Sequence, residues 1–207
     1  MTLAPPGSSF AFGESPFRVK GVLYLGTRGF FNENLQGGIE ALAGDIAEPE
    51  LRDFILQPFL ASGWYDVLPV PPLIAYEARA LRMSLDDYLL YRTRYQARRD
   101  LGGVYAFALR LARPASVAPR LLSIMSRMFD FVKVETTKEE SGSMEAVFHG
   151  VPAILERWLH VGLTVYSETA LKLAGAATVD VIQPSPIGEG DVSGVRVVGL
   201  PIRLQWT

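Results

Sequence analysis

The chain contains no cysteine. A disulfide framework, a thiolate nucleophile, a Cys-ligated zinc and an iron–sulfur cluster are therefore excluded. Histidine is nearly as scarce. His149 and His160 are the only two in 207 residues, so one chain cannot assemble a three-His metal site. An excess of one charge is lacking too: 20 Lys plus Arg face 22 Asp plus Glu, for a net charge of −2. That balance argues against a dedicated nucleic-acid binder. No apolar run approaches the roughly 18–20 residues of a membrane-spanning helix; the stretch from Val104 to Leu109 ends at Arg110. The N-terminus, Met1 to Ser9, has neither a basic nor an apolar segment and does not read as a secretory signal. The expectation is a cytoplasmic protein with no transmembrane segment. A Gly-x-Gly-x-x-Gly or phosphate-loop fingerprint, a Gly-x-Ser-x-Gly elbow and a His-Glu-x-x-His pair are also missing, and with them the commonest signatures of nucleotide binding, acyl transfer and zinc hydrolysis.

What is present is apolar substance. Apolar residues make up 49% of the chain and aromatics 11%, enough for a sizeable core in a chain of this length. Pro5, Pro6, Gly7, Gly13 and Pro16 punctuate the start, which reads as a flexible tail over 1–16 followed by one domain over 17–207. Phe17 to Leu25 reads as a short strand, with a helical alternative over Val22 to Asn32. Helical spacing recurs over Leu35 to Ala47, Leu51 to Phe59 and Leu73 to Arg82. Gly63 to Asp66 reads as a turn. Ser84 and Asp87 form a capping-box start for the helix that follows, which Gly102 and Gly103 end. Val104 to Leu111 fits helix or strand and is taken as helix, because Arg110 and Arg113 read as a basic last turn before Pro114; Ser116 opens another that runs to Val132. Phe131 to Glu140 and Met144 to His149 form a hairpin around Ser141 to Ser143. A long helix from Ala153 to Ala174 is apolar almost all round and should be central. Thr178 to Ile182 and Val195 to Trp206 are strands, with Pro184 to Gly194 as the loop between them. The layout is α+β: an N-terminal helical part, then a mostly antiparallel sheet with a long buried helix, in the order strand–strand–helix–strand–strand.

Four local patterns carry a resemblance. They are Gly63 to Asp66, the helix entry Met83 to Leu90, Gly150 to Pro152 with the long helix ending at Gly175, and the closing strand Ile202 to Trp206. Together these resemble the superfamily that joins haem-nitric-oxide/oxygen-binding sensors, vinyl-four-reductase-type sensor domains and Golgi transport (TRAPP) subunits. Within it the chain is most similar to a large paralogue family largely confined to myxobacteria. The resemblance implies a fold that holds a small hydrophobic ligand or pairs with another copy. It also exposes departures. The haem sensors carry their ligand histidine on the helix matching Ser116 to Val132, where this chain has Ile124 and Met125. Their Tyr-x-Ser-x-Arg motif is replaced by Val147 to Pro152. The expectation is a haem-free module with no cofactor and no metal.

Among candidate residues, His149 should share a strand face with Glu145 and Val147, opposite Phe148. His160, on the long helix, could donate to a polar ligand head. Met125, Phe129, His160 and Tyr166 are the proposed ligand-binding set, with plain core packing as the alternative. Arg92, Arg94, Arg98 and Arg99, interleaved with Tyr88, Tyr91 and Tyr95 and preceded by Arg79 and Arg82, could meet phosphate or an acidic partner. The alternative is a solvated face offset by Asp86, Asp87 and Asp100. Glu135, Glu139, Glu145 and Glu156 surround the hairpin but read as surface rather than as an acid–base pair. A mean hydropathy of +0.18 suggests an apolar patch covered by a second copy, with Leu51 to Leu60 and Leu73 to Leu81 as its source. The functional expectation is a non-catalytic regulatory or scaffold module that homodimerises and binds a small hydrophobic ligand, with no nucleic-acid partner. The alternative is a protein-interaction or assembly subunit, with another protein as partner and no ligand.

Overall fold

The computed structural model describes residues 10–207, except for the side chain of Met125. The span expected over 17–207 divides into two compact units, one of residues up to Leu89 with Ser193–Val195, the other of Leu90–Val192 with Arg196–Thr207.

The first unit holds β1 (Arg18–Lys20), α1 (Val22–Asn34), α2 (Gly38–Gly44), α3 (Pro49–Leu56), β2 (Trp64–Asp66), α4 (Val70–Ala80) and the start of α5 (Leu85–Asp100). The strand expected over Phe17 to Leu25 shrinks to three residues. From Val22 the chain is helical despite Gly26 and Gly29, because burying Tyr24, Phe30 and Phe31 on one side outweighs glycine's helix cost of about 1 kcal/mol each. Gly63 to Asp66 is no mere turn: Trp64–Asp66 pairs antiparallel with Arg18–Lys20. The fourth helix starts earlier than expected, since Pro71 and Pro72 sit in its first turn, where no N–H is needed. At α5 the Asp87 N–H donates to Ser84 Oγ over 3.2 Å, the N-cap half of the expected capping box, and the Ser84 hydroxyl donates to Asp87 Oδ2 at 2.6 Å. Tyr24 stacks on Phe59 with ring centroids 4.7 Å apart and meets Phe54 edge-on at 5.2 Å. The segments expected to face a second copy are largely spent here, with Leu51, Phe54, Ile55, Phe59, Leu73, Ile74 and Ala78 all buried. The tail reading covers two different stretches. Residues 1–9 lie outside the described residues, whereas Ser15 is fully buried.

The second unit continues α5 into α6 (Gly103–Arg110), α7 (Pro114–Met128), β3 (Lys133–Glu140), β4 (Ser143–Pro152), α8 (Glu156–Leu173, after a 3-10 turn at Ala153–Leu155), β5 (Val179–Ile182), β6 (Ile187–Val192) and β7 (Val195–Trp206). The sheet order is β3-β4-β7-β5, with β6 also paired to β7. The β3–β4, β4–β7 and β5–β7 pairs are antiparallel. This is the α+β layout expected, with one addition. Residues 187–192, read as loop, form a strand that leads into β7 through Ser193 and Gly194, both at positive φ, as a tight hairpin turn requires. In β4 the buried residues Met144, Ala146 and Phe148 alternate with the half-buried Glu145, Val147 and His149, so His149 lies on the face expected. The helix α7 packs on β3 and β4, while α8 packs on α6, α7 and β5. Only Arg157 and Lys172 of α8 are exposed, in keeping with its central place.

Candidate functional site

The long helix α8 carries two of the expected ligand-binding residues. His160, Thr164 and Ser167 fall on one stripe of it. Gln183, just past β5, donates through Nε2 to the His160 carbonyl (2.7 Å) and to Thr164 Oγ1 (3.1 Å). His160 Nδ1 stands 4.0 Å from Glu156. Its Nε2, together with Ser167 Oγ, is buried without a hydrogen-bond partner among the described residues. Burial lowers the His160 pKa, against the opposing pull of Glu156, so the neutral ring is favoured. Tyr166 is six residues further on, about 120° round the helix axis from His160, and its hydroxyl donates to Asp100 Oδ2 at 2.6 Å. Burial, reinforced by Asp100, pushes the Tyr166 pKa up. Phe129 is 4% exposed and packs against Phe131 and Trp158, with centroids 5.5 and 5.9 Å away. Met125 lies on α7, and its side chain is outside the described residues. Of the expected set, then, Phe129 and Tyr166 are committed to other partners. His160 alone presents an uncommitted polar atom.

A second arrangement was only half legible in the sequence. His149 sits between two carboxylates. Its Nδ1 is 2.5 Å from Glu189 Oε1 and its Nε2 is 3.0 Å from Glu135 Oε2. The other oxygen of Glu189 accepts the Gly150 N–H at 2.8 Å. Gly150 marks a register shift in β4. It has φ +78°, and a Cβ there would lie 2.7 Å from the Phe131 carbonyl, so this bulge requires glycine. The hydrogen bond to Glu189 raises the His149 pKa against partial desolvation, with Glu135 adding to the rise. His149 was singled out from the sequence, but Glu189 lay in an expected loop. The signal that would have found it is the Ser193-Gly194 turn, which places 187–192 in the sheet.

Other candidates resolve into surface. Arg92 bonds Gln96 (2.9 Å) and Arg99 bonds the Tyr95 hydroxyl (2.8 Å), as one-turn-apart neighbours on a helix do. Glu145 pairs with Arg203 at 2.9 Å, and Glu135 is taken by His149. Among the described residues no cluster of three His, Asp or Glu side chains is arranged to hold a metal, and no helix is long and apolar enough to cross a membrane. A shallow depression of about 560 Å³ in the first unit is lined by Ala75, Ala78, Arg79, Arg82, Met83 and Leu85; it includes Arg79 and Arg82 of the arginine group but none of the expected ligand-binding set.

No protein-family model matches the chain, and no curated protein matches it in sequence. Solved structures do match its fold. The Fe(II) unliganded H-NOX protein from K. algicida is 11% identical, with 91% of this chain and 96% of that chain covered and a TM-score of 0.57. An oxygen-binding H-NOX domain related to soluble guanylate cyclases, in its oxygen complex, is 10% identical over 90% and 92%, with a TM-score of 0.56. A Cs H-NOX variant carrying 4-cyano-L-phenylalanine is 10% identical over 91% and 96%, with a TM-score of 0.58. The chain thus has the H-NOX (haem-NO-binding) fold. A haem held by histidine needs an imidazole nitrogen free to meet iron. The helices α6 and α7 contain no histidine, and both ring nitrogens of His149 are engaged by carboxylates. Neither α6 nor α7 offers an imidazole, and the imidazole nitrogen without a partner among the described residues is His160 Nε2 on α8.

Proposed function

We propose that this chain is a non-catalytic regulatory or scaffold module of the H-NOX fold that works without haem. The observation supporting this is the donor set: α6 and α7 carry no histidine and His149 is locked between Glu135 and Glu189, which leaves His160, on α8, as the one imidazole with an unpartnered nitrogen among the described residues. The neighbours named above are described by bound oxygen or by Fe(II), which supports a ligand-binding role for the fold. The ligand we assign is small and hydrophobic with a polar head. It meets the unpartnered His160 Nε2, with Met125, Phe129 and Tyr166 around it. The same proposal includes a homodimer, a cytoplasmic location, and kinship with vinyl-four-reductase-type domains, TRAPP-like subunits and the myxobacterial paralogue family.

Titration of the purified protein with hemin, followed by absorbance, tests the haem-free reading. The expected result is free hemin with no saturable Soret shift. A stoichiometric, histidine-ligated spectrum that vanishes in His160→Ala or His149→Ala overturns it. Native mass spectrometry tests the rest: a mass twice 22.7 kDa with an added component lost on denaturation is expected. A second reading, an assembly subunit without ligand, is favoured by the commitment of Phe129 to Trp158 and of Tyr166 to Asp100. A clean multiple of the chain mass selects it.

A further inference from the structure

The helix α6 is built inside out. Val104, Phe107, Ala108 and Leu111 recur at the i, i+3, i+4, i+7 spacing that normally faces a core. Here that stripe faces solvent. Val104 is 84%, Leu111 74%, Tyr105 70% and Phe107 63% exposed, four of the five most exposed large apolar side chains among the described residues. No residue of α6 is buried, and the helix rests on α8 through its opposite side, where Ala106 and Leu109 are half-covered. Side chains this exposed stand clear of the surface and do not line a groove.

Charge is segregated around the same helix. From residue 88 to 129 the chain has eight arginines (Arg92, Arg94, Arg98, Arg99, Arg110, Arg113, Arg120, Arg127) and one acid, Asp100. The remainder has 12 basic and 21 acidic residues, so a net +7 segment sits in a chain that is otherwise −9. Arg98 and Arg99 precede α6 within five residues, and Arg110 and Arg113 close it. Arginine's planar fork suits phosphate oxygens. A two-fold pairing of this face with its own copy would set like charges opposite each other.

We propose that α6 docks on an anionic membrane surface, with Val104, Phe107 and Leu111 entering the headgroup boundary and the flanking arginines meeting lipid phosphates. The inference does not depend on the haem-free reading. Co-sedimentation of the full chain with vesicles of phosphatidylcholine alone, or with about one-third phosphatidylserine, tests it. Binding is expected on the anionic vesicles only, weakened at least about tenfold between roughly 0.1 M and 0.5 M NaCl. Val104→Ser/Phe107→Ser/Leu111→Ser should lose at least about tenfold at low salt, with circular dichroism and oligomeric state unchanged, since none of the three is buried. Arg110→Glu/Arg113→Glu should lose binding comparably. No binding to the anionic vesicles, or equal binding by the triple variant, overturns the proposal. So does a wild-type dimer that the triple variant converts to monomer in sedimentation velocity, because the occupant would then be a second copy.

Discussion

Each unit has a carboxylate that ties together segments far apart in sequence, and the two do so in opposite settings. In the first, Asp66 is fully buried. It accepts the N–H groups of Gly13 (2.9 Å), Ser15 (3.1 Å) and Leu68 (2.9 Å), and the Ser15 hydroxyl. In the second, Glu189 joins β6 to β4 through His149 and the Gly150 N–H, with water within reach of the whole group. The buried hub draws on neutral backbone donors, two of which, those of Ser15 and Leu68, are shut off from solvent. The exposed hub draws on a histidine whose charge depends on pH and whose pairing competes with water. The first should set stability, whereas the second should tune it.

The widest gap between them should come from truncating each carboxylate. Asp66→Ala strands the buried N–H groups of Ser15 and Leu68, frees the part-buried Gly13 N–H and the Ser15 hydroxyl, and should cost about 3–4 kcal/mol. Glu189→Ala opens a solvated pairing and should cost less than about 1 kcal/mol. Urea unfolding followed by tryptophan fluorescence and by far-ultraviolet circular dichroism reads both. Equal losses would erase the distinction. Next in size is Tyr24→Phe. The Tyr24 hydroxyl donates to the Asp66 carbonyl at 2.5 Å from a fully buried site, so its removal leaves that oxygen short of a donor at about 1–2 kcal/mol. A change under about 0.3 kcal/mol would mean that the carbonyl is satisfied without it.

The elements legible in the sequence were those whose signal is local. The capping box at Ser84 and the hairpin at Gly142 each carry their evidence within a few residues. The three-residue strand β2 does not, because its state is set by Arg18–Lys20, some 45 residues earlier. The strand β6, Ile187–Val192, has two glycines, two acids and no buried position; only its neighbour β7 makes it a strand, and Glu189 was missed with it. Helix α6 shows another limit. Its helical state was read from the basic last turn at Arg110 and Arg113; the spacing of Val104, Phe107, Ala108 and Leu111 says which residues share a face and not which way that face points. The surroundings of the expected ligand set were illegible for a related reason. His160 and Tyr166 were chosen for lying on a buried helix, and their places round its axis send them to different neighbours.

The smallest effect sharpens the contrast between buried and exposed within the second unit, where the two histidines titrate in opposite senses. The folded-state pKa of His149 is raised, chiefly by Glu189. Its contribution is therefore fully present below the unfolded value of about 6.5 and is lost as pH rises through the folded pKa. His160 is lowered by burial. The unfolded chain binds the extra proton, so stability falls as pH drops below about 6.5 toward the folded pKa. The two windows meet at the ordinary imidazole value, and stability should peak there. The side chain of His149 is about one-third exposed, which limits its window to well under 1 kcal/mol, roughly the size of a surface ion pair. His149→Gln should flatten the alkaline side of the peak and leave the acid side intact. His160→Leu should flatten the acid side, and it removes a buried nitrogen that has no partner among the described residues, so it should not destabilise at neutral pH. Urea midpoints at intervals between about pH 5 and pH 8.5 separate the two. If His160→Leu instead weakens the protein at neutral pH, His160 Nε2 has a partner in solution, and the ligand assigned to it is the first to look for.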